Sequence, residues 1–137
     1  MQLNLFCKWK VMGGTALIWL IKFYLRPRFH FAAIPKFFLG IAPNLIGSYL
    51  LLFGSYWIFH KRFNFSQAGV CATLSVGFFV LLVINEYLQK IPLFGRTFDY
   101  YDILFSAMGV TAAYFIFRRM RAREYGQQER INFYHPV

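Results

Sequence analysis

The chain has 137 residues, 58% of them hydrophobic and 22% aromatic, and a formal net charge of +10. A soluble domain of this length leaves a large share of its residues in water and has no interior big enough for so much apolar surface. The 15 Lys and Arg residues stand at the ends of long apolar runs, a pattern that argues against nucleic-acid binding and marks membrane flanks instead.

The pattern predicts one all-α domain over residues 1–137, an integral membrane bundle of four transmembrane helices. Strands of a closed barrel would alternate apolar and polar residues, and these runs do not. The first span is expected over about 9–25, with Lys8 and Lys10 ahead of it and Lys22 placed to snorkel toward the interface. Pro27, in the Arg-Pro-Arg stretch 26–28, is expected to end it. The run is laid out like a signal peptide, but no small-residue cleavage site follows, so it is taken as retained.

Residues 29–40 are aromatic, contain His30 and Lys36, and are interrupted by Pro35. They are expected as an interfacial segment leading to a second span over about 41–59, with Pro43 in its first turn. Ser66 is the expected N-cap of a third span over about 67–89. A fourth span, about 100–117, ends in four arginines within residues 118–123 and a polar tail to Val137. Small residues recur at packing intervals: Gly40, Gly47 and Gly54; Gly69, Thr73 and Gly77; Gly109 and Ala113. Cys7 and Cys71 are expected as free thiols, and neither they nor the scattered His30, His60 and His135 have metal-ligand spacing.

Four spans put both termini and the middle turn on one side, with nine Lys and Arg residues against six on the other. That bias predicts both termini in the cytoplasm and the protein in the inner membrane. The basic tail is then expected to meet anionic lipids.

Only five residues are acidic, and three of them, Glu86, Asp99 and Asp102, lie within residues 85–109. With the expected topology, Glu86 and Gln89 at the end of span three, Asp99, Asp102 and Ser106 at the start of span four, Arg96 between them, and Asn44 and Ser48 in span two share one depth. Local explanations exist. Asp99 fits an N-cap, Asp102 fits the third helical position, and Glu86 precedes Lys90 by one turn. Glu86 in the last turn nevertheless opposes the helix dipole. Counting Lys90 and Arg96, the group carries a net charge of −1, suited to a cationic or hydroxyl-rich ligand.

The stretch "NEYLQKIPLFGRTFDYYDILFSAMG" resembles the signature of the VanZ-like family of small multi-pass membrane proteins. Glu86, Gln89, Gly95, Arg96, Asp99, Asp102 and Gly109 match that signature in order. Ser106 stands where the family usually has Asn, and "PNLIGS" (residues 43–48) stands where it has an Asp-Lys…His motif. The resemblance implies a cell-envelope protein connected with resistance to the glycopeptide teicoplanin, in contact with lipid-linked precursors or lipoglycopeptides at its outer face. It implies no cofactor. Two other functions fit the residues: a structural or accessory subunit in which the cluster only joins two helices, and an enzyme acting on lipid headgroups with Glu86 or Asp102 as base.

Overall fold

The computed structural model describes residues 3–28, 33–65, 67–89 and 98–134. Among the described residues the fold is all-α, with four helices and no strand. Helix α1 covers Leu3–Trp19 and runs on without a break through a π-helical stretch, Leu20–Leu25, and a last α-helical turn, Arg26–Arg28. Helix α2 is Ala33–Phe59, α3 is Ala68–Leu88 and α4 is Tyr100–Tyr134. Within α2, α3 and α4, segments Pro35–Phe59, Gly69–Leu88 and Tyr100–Glu124 are long and apolar enough to cross a membrane. At ~1.5 Å per residue, 20–25 residues span a hydrocarbon core of about 30 Å.

The first helix is described to Arg28, within the Arg-Pro-Arg stretch expected to end it, with Pro27 in its last turn. A proline has no N–H and its ring crowds the carbonyl four residues back, here Phe23. The backbone answers by widening, and the Arg26 N–H bonds the Ile21 carbonyl five residues back, the mark of a π-turn. Pro43 is not in a first turn but in the interior of α2, which starts at Ala33. Pro35 takes the first-turn place instead, where a missing N–H is harmless. Residues 33–40 are therefore helix, continuous with the expected second span. Residues 118–134 are likewise no separate tail; they continue α4. Ser66, the expected cap of α3, lies outside the described residues, and Gln67 occupies the cap position in extended conformation.

Glycines show how α1 and α2 fit. A methyl group added to Gly40, Gly47 or Gly54 would meet Arg26 at 3.8 Å, Ile18 at 3.9 Å or Val11 at 3.8 Å. Rising numbers in α2 meet falling numbers in α1, so the two helices are antiparallel and the glycine stripe is their seam. Helices α2 and α4 run parallel: Phe37 meets Tyr101 at 5.2 Å between ring centroids, and farther along Phe53 meets Phe117 at 5.8 Å. Helix α3 packs on α4 by one side only. Its Gly69 and Gly77 have nothing within 4 Å of an added methyl group, so the expected packing role of the Gly69–Thr73–Gly77 stripe is not found among the described residues.

The buried core lies at the end where α1 starts and α2 stops. Leu3, Cys7, Leu52, Phe53, Tyr56, Phe65, Cys71, Ala113 and Phe117 form it. Phe117 is ringed by Phe53, Tyr56 and Phe65 at centroid distances of 5.8, 5.1 and 6.2 Å. The outer faces of the helices are apolar, with Trp9, Trp19, Phe23, Val76, Leu81 and Phe115 all more than half exposed. Water would penalise such a surface heavily, and a bilayer would not; the apolar helices point to a lipid environment.

Both cysteines are free and buried, and the Cys71 thiol donates to the Phe65 carbonyl at 3.4 Å. Neither should react with a membrane-permeant maleimide in the folded protein, and both should react after denaturation in SDS. Labelling of Cys7 in the native state would contradict its complete burial.

Candidate functional site

The junction of α3 and α4 is built from local capping that a second helix completes. Asp99 precedes α4, and its Oδ1 accepts the Tyr101 backbone N–H at 2.9 Å. That is N-capping, in which a short side chain satisfies a donor at the helix start. The Asp102 N–H reaches the Asp99 carbonyl at 3.2 Å and closes the first turn. In a capping box the third helical residue, here Asp102, would reach back to the N–H of the capping residue. Asp is a methylene shorter than the Glu preferred there. Here the Asp99 N–H is bound by Glu86 of α3, through Oε1 at 3.2 Å.

Glu86 is thus a capping carboxylate supplied by another helix. Its second oxygen, Oε2, accepts from Gln89 Nε2 at 2.8 Å. The side chain is buried, 5% exposed, near the C-terminus of α3. Its own helix end disfavours a negative charge there, while the N-terminus of α4 favours it. The neighbouring dipole therefore offsets the unfavourable one. Tyr87 and Phe98 stack at 5.2 Å beside the junction and hold the entering chain against α3.

The structure therefore joins Glu86, Gln89 and Asp99 by hydrogen bonds, with Asp102 one helical turn into α4 and half-buried. Ser48 and Ser106 are both buried, and Ser48 belongs to the seam between α2 and α4, where it faces Gly109. The Ser48 hydroxyl donates to the Leu45 carbonyl of its own helix at 3.0 Å. Asn44 is half-buried one turn before it. The seam is tightest at Gly109, one turn beyond Ser106: an added methyl group would overlap Ser48 Oγ and the Leu45 carbonyl oxygen and sit 3.1 Å from the Tyr49 nitrogen. Arg96, Gly95 and Lys90 lie outside the described residues, so the expected counter-charges of the cluster are not placed.

One polar side chain has a place that the charge pattern did not suggest. Lys10, counted as a flanking cation, turns into the bundle and donates to the Tyr49 hydroxyl. Its ammonium stands 5.1, 5.0 and 4.7 Å from the ring centres of Phe6, Tyr49 and Phe53, an aromatic cage that suits a desolvated cation. The sequence held one hint, Phe6 lying one helical turn before Lys10. Tyr49 and Phe53 come from another helix.

Comparison with protein-family models, curated proteins and solved structures finds no match to this chain.

Proposed function

We propose that this is a multi-pass envelope protein of VanZ-like type that binds the hydroxyl-rich or cationic headgroup of a lipid-linked precursor or lipoglycopeptide at the α3–α4 junction. The proposal places that junction at the outer face of the cytoplasmic membrane and both termini inside. The observation that carries it is the gathering of three carboxylates at one end of the bundle, with Glu86 buried and fixed by two hydrogen bonds. A carboxylate held in place presents its charge without the ordering cost that a mobile side chain would incur on binding. The resemblance of residues 85–109 to the family signature supports the choice of ligand class.

The same hydrogen bonds favour a second function, an accessory subunit in which Glu86 only locks α3 to α4. A susceptibility assay separates the two. A teicoplanin-sensitive host would express wild type, Glu86→Gln or Asp102→Asn at matched membrane levels. The binding function predicts protection by wild type and loss of protection in both variants. Equal protection by all three would remove the carboxylates from the function and leave the accessory role.

A further inference from the structure

A second polar concavity lies at the opposite end of the bundle, where the turn between α2 and α3 meets α4. It has a volume of about 350 Å³, and its walls include Lys61, Arg62, Arg121, Tyr56 and Phe63. We propose that this cavity binds a phosphate group, as carried by the headgroup of an anionic lipid or by free phosphate.

Three permanent cations, Lys61, Arg62 and Arg121, line one concavity, and Arg121 is paired with Glu124 at 3.1 Å. Arg121 is also positioned rather than loose. Its guanidinium lies 5.7 Å from the Tyr56 ring centre, and its side chain is only 19% exposed. A guanidinium held beside an aromatic ring and an ion-pair partner has a fixed place from which to meet the oxygens of a phosphate. Lys61 and Arg62 are exposed on the turn and reach the same concavity from the other side.

Position favours the lipid as the source. The apolar segment of α2 ends at Phe59, just before Lys61 and Arg62, and the last stretch of the α4 segment, Tyr100–Glu124, carries four arginines from Arg118 on. The cavity therefore sits where apolar helix surface gives way to charge, the depth of headgroup phosphates. Phe63, half exposed on its rim, and Phe59 beside it supply apolar surface for the glycerol and upper acyl region. A polybasic tail attracts anionic lipid diffusely; this cavity adds a defined place with opposed donors.

The test uses the full chain in phosphatidylcholine nanodiscs titrated with phosphatidic acid, and separately with inorganic phosphate, reading the melting temperature. The site predicts a saturable rise, because a ligand bound only by the folded state stabilises it. Loss of one charge-assisted contact in Arg121→Gln should raise the half-saturating concentration about tenfold. Because Arg121 is part-buried, Lys61→Gln/Arg62→Gln, on an exposed turn, gives the same reading with less risk to folding. Arg118→Gln/Arg119→Gln, exposed residues that do not line the cavity, should leave it unchanged. A rise with inorganic phosphate alone supports the site and identifies the free anion as sufficient; a rise with phosphatidic acid only identifies the lipid. Equal weakening by the Arg118/Arg119 pair, or no weakening by either cavity variant, would overturn the proposal.

Discussion

Gly109→Ala is expected to lower the melting temperature of the detergent-solubilised protein, at a cost of about 1–3 kcal/mol, the usual range for overpacking. The new methyl group would overlap both Ser48 Oγ and the Leu45 carbonyl oxygen. A side chain can turn away, whereas a backbone carbonyl moves only with its helix. Helices α2 and α4 must then separate along a seam that also carries the Phe53–Phe117 and Tyr56–Phe117 contacts. In lipid, where apolar surface gains little by leaving the solvent, close packing is itself a main source of helix association. Ser48→Gly should recover only part of the loss, because Leu45 is still in the way. Gly77→Ala is the contrasting control. Nothing lies within 4 Å of its methyl position, and alanine is favoured over glycine inside a helix by about 1 kcal/mol, so that variant should be as stable as wild type or more so. Equal melting of Gly109→Ala and wild type would show that the α2–α4 seam is looser than described.

Glu86 gives the second large effect, and its two variants should part. In Glu86→Ala the Asp99 N–H and Gln89 Nε2 both lose their acceptor, at about 1–3 kcal/mol for each donor left unpaired. In Glu86→Gln the shape is kept. The new amide oxygen still accepts from Asp99 N–H, and its NH₂ pairs with Gln89 once that amide turns over. The charge is gone while these two hydrogen bonds remain. Thermal unfolding should therefore show a clear loss for Glu86→Ala and a small one for Glu86→Gln. If both fall equally, the charge itself, set against the N-terminus of α4, holds the junction together, and the accessory role gains.

What could be foreseen from the chain follows the range of each interaction. Asp99 as a cap was legible because a cap and its donor are two residues apart. The apolar runs were legible as helices because length and composition decide that locally. The Gly40–Gly47–Gly54 stripe pointed to a close helix contact, yet only the fold shows that α1 is the neighbour. Glu86 and Asp99 are thirteen residues apart across a turn, and no spacing rule links the last turn of one helix to the cap of the next. Lys10 was miscounted for the same reason: its cage is made mostly by α2. Pro43 misled because a proline's local preference for helix ends yields in a long apolar helix, where neighbouring groups satisfy the carbonyl left without its donor.

The measurement that bears most directly on the proposed function is teicoplanin binding to purified protein in nanodiscs, comparing wild type with Glu86→Gln after their melting temperatures have been matched. Binding by wild type and a loss of about tenfold or more in Glu86→Gln, the scale of one charge-assisted contact, is the predicted result. Identical binding by the two proteins, or none by wild type, would contradict the assignment of the α3–α4 junction as a ligand site for this class of molecule.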